Sequence, residues 1–157
     1  MVSCMKVCLG GTFSPLHKGH KALLRKAFQV AGPRGSVFIG VTSASMAKKK
    51  RMPVSYKKRK QSLERFLSEE HLLNHAIIKP LSNIYGPTLT EDFDVIIVSP
   101  ETKQTAEEIN EKRRKKRKKP LKIIAVPFIL AEDNHPISSS RIRRNEIDEE
   151  GSLIKQE

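Results

Sequence analysis

Five short apolar runs punctuate an otherwise polar chain, at residues 5–9, 37–41, 76–78, 95–98 and 123–129. They are rich in Val and Ile and continuous rather than alternating, which predicts strands covered on both faces, as in a parallel sheet. The stretches between them carry a different period. Residues 18–31 place Leu23, Leu24, Ala27, Phe28 and Ala31 on one helical stripe, and residues 55–70 do the same with Leu63, Phe66 and Leu67. Ser99, with Pro100 and Glu101 behind it, has the composition of an N-cap and first turn. The acids Glu101, Glu107 and Glu108 then precede the bases, and Pro120 ends the predicted helix. Strands alternating with helices predict a single α/β domain over residues 1–157, a Rossmann-like, doubly wound, five-stranded parallel sheet.

In such a sheet, ligands bind beyond the carboxyl ends of the strands. The first apolar run leads there into "GGTFSPLHKGHKALL", residues 10–24. Gly10 and Gly11 allow a sharp turn, and Gly19 allows close approach at the helix start. The free N–H groups of that helix start are expected to attract an anion, with His17 and His20 on the same side as donors to phosphate oxygens. A second polar cluster, "HPISSSRIRR" at residues 135–144, follows the last apolar run. Its three serines and its arginines supply hydroxyls and fork-shaped cations, expected at the same edge of the sheet.

Charge adds a local feature rather than a global one. The formal net charge is +13, and eight consecutive cations at residues 112–119 account for more than half of it. That run reads as the exposed end of the third helix. Nucleic acid is not expected as a partner, because the chain has 5% aromatic residues and no Trp to form stacking platforms. Cys4 and Cys8, four apart on an extended strand, are too distant to bridge and suit a reducing compartment. No run approaches the roughly 20 apolar residues of a membrane span, so a cytoplasmic protein is expected.

"GTFSPLHKGH" resembles the GTFDxxHxGH signature of the nucleotidyltransferases that share a fold with class I aminoacyl-tRNA synthetases, and "ISSSRIR" is similar to their ISSTxIR signature. "NIYGPT" (83–88), "VSPETKQTAEEIN" (98–110) and "NEIDEEG" (145–151) further resemble phosphopantetheine adenylyltransferases of the archaeal and eukaryotic type. The resemblance runs over nearly the whole chain. It implies the nucleotidyltransferase (adenine nucleotide alpha hydrolase-like) fold and adenylyl transfer from ATP to 4′-phosphopantetheine, giving dephospho-coenzyme A and pyrophosphate. It further implies His20 as transition-state donor, Thr12 as the group orienting the acceptor, and Lys50 as the lysine on the acceptor phosphate. Arg59, in the Tyr-x-x-Arg element beginning at Tyr56, joins Thr12 and Lys50 in the acceptor set. The ATP set is Gly11, Thr12, Phe13, His17, Gly19, His20, Ser138, Ser139, Ser140 and Arg143. The sequence departs from the pattern at Ser14 and at Asn83, where aspartates are usual.

Such chemistry needs no protein nucleophile, because the acceptor's phosphate attacks the α-phosphorus and the protein aligns and neutralises. No carboxylate cluster announces a resident metal site, so Mg²⁺ is expected to arrive with ATP. A monomer is slightly favoured over an oligomer. Other acceptors define the alternatives: an FAD- or NAD-forming adenylyltransferase, or a cytidylyltransferase. A basic nucleic-acid-binding protein on the same fold is a third reading.

Overall fold

The computed structural model describes residues 4–49 and 54–155. Its five strands are β1 (Lys6–Gly11), β2 (Ser36–Thr42), β3 (Ala76–Leu81), β4 (Val95–Val98) and β5 (Lys122–Ala125). All pair in parallel, in the order β3-β2-β1-β4-β5. The helices are α1 (Lys18–Ala31), α2 (Ala44–Lys49), α3 (Tyr56–Glu69), α4 (Lys103–Lys115) and α5 (Ser139–Arg143). The chain builds outward from β1 through β2 to β3, then returns to lay β4 on the other side of β1. Strand order therefore reverses between β1 and β4, where an open α/β sheet leaves a crevice.

Alternation along the strands sorts the core into two layers. Val7, Leu9, Val37, Ile39 and Val41 face Leu24, Ala27 and Phe28 of α1 and Leu63 and Leu67 of α3. Cys8, Ile96 and Val98 face the other way, against Ala106 and Ile109 of α4. A small third cluster, Ala131, Ile137 and Ile147, lies behind the serine-rich segment.

Four boundaries differ from the sequence reading. The fifth strand stops at Ala125: Val126 donates one more backbone bond to Val98 (2.8 Å), and Pro127 then has no N–H to continue the ladder. The third strand instead runs on through Pro80 to Leu81, which β3 tolerates as an edge strand. Ser99 does not cap α4. Its carbonyl closes a turn by accepting from Thr102 and Lys103 (3.1 Å each), and the helix begins at Lys103. At the far end α4 stops at Lys115, before Pro120, in a turn made of its own cations.

Candidate active site

The carboxyl ends of β1 and β4 open into a cleft with two lobes that share Gly10, Gly11, Ile97, Val98 and Thr102. One lobe, about 350 Å³, is polar and takes in His17, His20, Ser138, Ser139, Ser140 and Arg143. The other, about 250 Å³, is walled by Phe38, Met46, Leu81, Ile84, Tyr85 and Ile109. Both signatures thus reach one cavity, as expected from the sequence.

The start of α1 is organised by its own histidines. His17 is the N-cap, and its Nδ1 accepts from the backbone N–H groups of Gly19 (3.0 Å) and His20 (3.3 Å). His20 returns the bond, its Nδ1 accepting from the His17 N–H (3.3 Å). The two rings stack with centroids 3.8 Å apart. An imidazole whose Nδ1 accepts carries its proton on Nε2, so each ring keeps an Nε2–H as its donor. Burial holds both rings neutral: the His17 pKa falls to about 4, and that of His20 to about 3. For His20 the neighbouring His17 adds to the burial effect, and the Pro15 carbonyl opposes it.

This corrects the expectation of free N–H groups at the helix start. His17 donates to His20 Nδ1 (3.3 Å), Lys18 donates to the Glu149 carbonyl (3.0 Å), and Gly19 and His20 donate to His17 Nδ1. All four orphan donors of the first turn have partners. Gly19 is also explained differently. A Cβ there would stand 2.9 Å from the His17 ring, so the glycine makes room for the cap. Ahead of the helix Phe13 sits at φ 53 with its ring buried, 5.2 Å from the His20 centroid. A bulky residue in the left-handed region is strained and is held by its surroundings. Gly11 belongs to those surroundings, since a Cβ on it would lie 3.2 Å from the Phe13 ring.

Across the polar lobe, Ser138 caps α5 through a bond from the Arg141 N–H (3.2 Å). Arg141 is committed to Asp133, Glu146 and the Pro136 carbonyl. Arg143 reaches back to the first signature, donating from Nη1 to the Ser14 carbonyl (3.3 Å) and from Nη2 to Ser140 Oγ (3.4 Å).

Of the residues expected to meet the acceptor, Thr12 lines the polar lobe, and Thr42 lines the apolar one. Arg59 lies beneath both, only 1% exposed, with Nη1 donating to the Thr12 carbonyl (3.1 Å) and Thr42 Oγ1 (2.9 Å) and Nε to the Val54 carbonyl (3.1 Å). Its Nη2 is buried and has no hydrogen-bond partner among the described residues. Lys50 lies outside the described residues. Cys8 borders the apolar lobe, but burial pushes its thiol up to about 12 despite Arg113 nearby, which leaves no thiolate for nucleophilic work. Among the described residues no group of three His, Cys, Asp or Glu side chains could hold a metal ion.

Two participants escaped the sequence reading. The Glu149 carbonyl is a backbone group brought in by the turn that Ile147 and Leu153 bridge, and no side-chain pattern announces it. The capping role of His17 did have a signal, since a polar residue three before His20 has the spacing of a capping box.

A family model described as cytidylyltransferase-like matches residues 8–145. A phosphopantetheine adenylyltransferase of Methanosarcina mazei is 47% identical over 152 residues, 96% of this chain and 98% of that protein. Another, from Archaeoglobus fulgidus, is 42% identical and covers 96% of this chain and all of its own length. The chain belongs to the phosphopantetheine adenylyltransferase family. A crystal structure of a protein with unknown function from Archaeoglobus fulgidus is also similar, with a TM-score of 0.71, 40% identity and coverage of 78% of this chain and 89% of that one.

Both departures from the phosphopantetheine adenylyltransferase pattern find a physical account. Asn83 Oδ1 accepts from the N–H groups of Tyr85 (3.0 Å) and Gly86 (2.9 Å), bonds an aspartate oxygen makes equally well. Ser14 is buried and meets Arg143 through its carbonyl, so that contact needs no acidic side chain.

Proposed function

We propose that this chain transfers the adenylyl group of ATP to 4′-phosphopantetheine, releasing pyrophosphate and forming dephospho-coenzyme A. The observation that carries this reading is the two-lobed cleft at the β1/β4 switch point, with neutral imidazole donors in one lobe and a narrow apolar trough in the other. The triphosphate, with its Mg²⁺, lies in the polar lobe against Ser138, Ser139, Ser140 and Arg143. The acceptor's pantetheine arm lies along Leu81, Ile84 and Tyr85, and its phosphate is oriented by Thr12 and held by Lys50.

An acceptor phosphate oxygen forms the new bond to the α-phosphorus. The bond from that phosphorus to the bridging oxygen breaks, and its electron pair leaves with pyrophosphate. Charge that builds on the α-phosphate oxygens is met by the Nε2–H groups of His20 and His17, already aimed by the capping box before ATP arrives. Neutral donors suit this task, because they keep their bonds fixed and exchange no proton with the phosphate. Arg59 acts as a positioning residue through the Thr12 carbonyl.

Action in the cytoplasm completes the proposal. Among the described residues no helix is long and apolar enough to cross a membrane, and Cys4 and Cys8 are both free. Pyrophosphate release from ATP, with candidate acceptors added singly, is the test. 4′-Phosphopantetheine is expected to support turnover, while FMN, nicotinamide mononucleotide and glycerol 3-phosphate are not. Turnover with FMN alone would assign the apolar lobe to a flavin instead.

A further inference from the structure

The far end of α4 is ordered around a charge that the cleft does not use. Of the eight cations at residues 112–119, Arg113 is the one that turns into the core, 2% exposed. Its Nε donates to the Lys119 carbonyl (2.8 Å), and its Nη1 to the carbonyls of Thr88 (2.6 Å) and Glu91 (3.0 Å). Buried Asn110 adds a two-bond clamp on the backbone of Leu121, at 2.8 and 2.7 Å. The turn after the helix is therefore pinned from beneath by two side chains. Its backbone forms a Schellman cap, with Lys118 N–H on the Arg113 carbonyl (2.8 Å) and Arg117 N–H on the Arg114 carbonyl (2.9 Å).

That cap places Arg117 at φ 59, in the left-handed region where helices favour glycine. A charged side chain is kept where the backbone prefers none. Lys112, Arg114, Lys115, Lys116, Arg117 and Lys119 are all exposed, and Lys118 is half-buried against Thr90. Among the described residues their ion pairing amounts to Lys115 with Glu111, at 3.6 Å. A helix C-terminus favours cations, but like charges four apart repel, so fold stability alone does not call for so dense a run. The run begins beside the cleft wall, with Lys112 Nζ 5.4 Å from the centroid of the Tyr85 ring, and its other exposed cations lie beyond that point, outside the lining of either lobe.

We propose that residues 112–119 are a docking surface for the phosphate backbone of a nucleic acid, bound without regard to base sequence. A dense cluster of exposed cations on a braced helix end suits closely spaced phosphates, and backbone binding needs neither aromatic platforms nor a groove-reading helix. A membrane surface fits less well. The apolar residues flanking the run, Ile109 and Leu121, are buried and cannot enter a lipid interface. The proposal rests on the far end of α4 alone, so its failure leaves the adenylyl-transfer reading untouched.

The test is fluorescence anisotropy of the whole chain with a labelled duplex of scrambled sequence and with a short single-stranded RNA, titrated between about 50 and 200 mM salt. Salt-dependent binding is expected, falling off as several phosphate contacts are screened. In the combined variant Lys115→Gln, Lys116→Gln, Arg117→Gln and Lys119→Gln, the log–log salt slope should shrink by roughly 3 to 4. Adenylyl transfer should be unchanged. Arg117→Gly, tested separately, should raise the thermal midpoint while weakening nucleic-acid binding, which keeps the test open if the combined variant folds poorly. Absence of salt-dependent binding, or undiminished binding by the combined variant, overturns the proposal. Tighter binding to phosphatidylserine vesicles than to either nucleic acid also overturns it, in favour of a membrane.

Discussion

Arg59 and Arg113 are 1% and 2% exposed, and each sits among lysines and arginines that face water. Both meet the cost of burial in the same way, by giving guanidinium N–H groups to backbone carbonyls. They brace opposite ends of the sheet. Arg59 holds Thr12 and Thr42 at the carboxyl edge, beside the cleft, and Arg113 holds the turn after α4 at the other edge. The comparison teaches that a buried arginine is by itself a structural device. Its bearing on chemistry depends on which carbonyl it holds.

The scale for any indirect effect is set by His20, the direct donor of the proposed mechanism. His20→Ala is expected to lower turnover by on the order of 10²–10³, as when one preorganised donor is removed from a developing charge. ATP affinity should change much less, because the serines and Arg143 remain, and His17→Ala should follow in direction with a smaller loss. Single-turnover rates and calorimetric ATP affinity separate the two. Equal losses in both would make His20 a ground-state clamp.

Arg59 should come next, because in the proposed mechanism it acts on the Thr12 loop through one carbonyl. Arg59→Met is predicted to cut turnover of the folded protein about 10- to 100-fold, by letting Thr12 drift from a geometry in which small displacements are costly. Arg59→Lys should recover part of this, since an ammonium can reach one of the three acceptors. The informative readout is the acceptor KM set beside kcat. An arginine that only supported the fold would lower the thermal midpoint and leave both constants of the surviving protein unchanged.

The histidine pair gives a milder, pH-dependent effect. Both folded values, about 4 and about 3, lie below the ordinary value near 6.5. Between these limits the unfolded chain binds protons that the folded chain does not. Stability is therefore full above about pH 6.5 and falls as pH drops toward 4. His17→Asn keeps an N-cap acceptor and removes one titrating ring, so its urea midpoint should change less between neutral and mildly acidic pH. An unchanged slope would mean that the capping imidazole is not held neutral.

Much of this arrangement was legible in the chain itself. Continuous runs such as residues 95–98 marked strands sharply, because both faces of a central strand are apolar whatever packs on them. The stripe from Leu23 to Ala31 gave α1 its observed limits. Where several local signals competed, the reading slipped. Ser99-Pro100 has helix-start chemistry, yet its carbonyl closes a turn, and Val126 to Ile129 are apolar to fill the cleft wall rather than a strand. The meeting of the two signatures was expected, but the closed first turn of α1 was not, since one of its partners is a carbonyl more than a hundred residues away. Nor could sequence separate Arg59 from Lys58, or Arg113 from Arg114. Which member of a basic run is buried is settled by tertiary packing alone.

The smallest change in turnover is expected at Arg113. Arg113→Met removes donors from the carbonyls of Lys119, Thr88 and Glu91. Left unpaired in the interior, such groups cost about 1–3 kcal/mol each, so stability should fall by at least about 2 kcal/mol. For a domain of this size that lowers the thermal midpoint by roughly 4–8 °C. Yet none of those carbonyls belongs to the loop that carries Thr12 or to the capping box at His17. Turnover per folded molecule should therefore stay within about twofold of the parent, a barrier change of less than about 0.5 kcal/mol. Arg59→Met and Arg113→Met would then destabilise alike and part company only in kcat. If Arg113→Met also slows the chemistry tenfold, the two ends of the sheet are coupled through β4 and α4, and the division drawn between the two arginines fails.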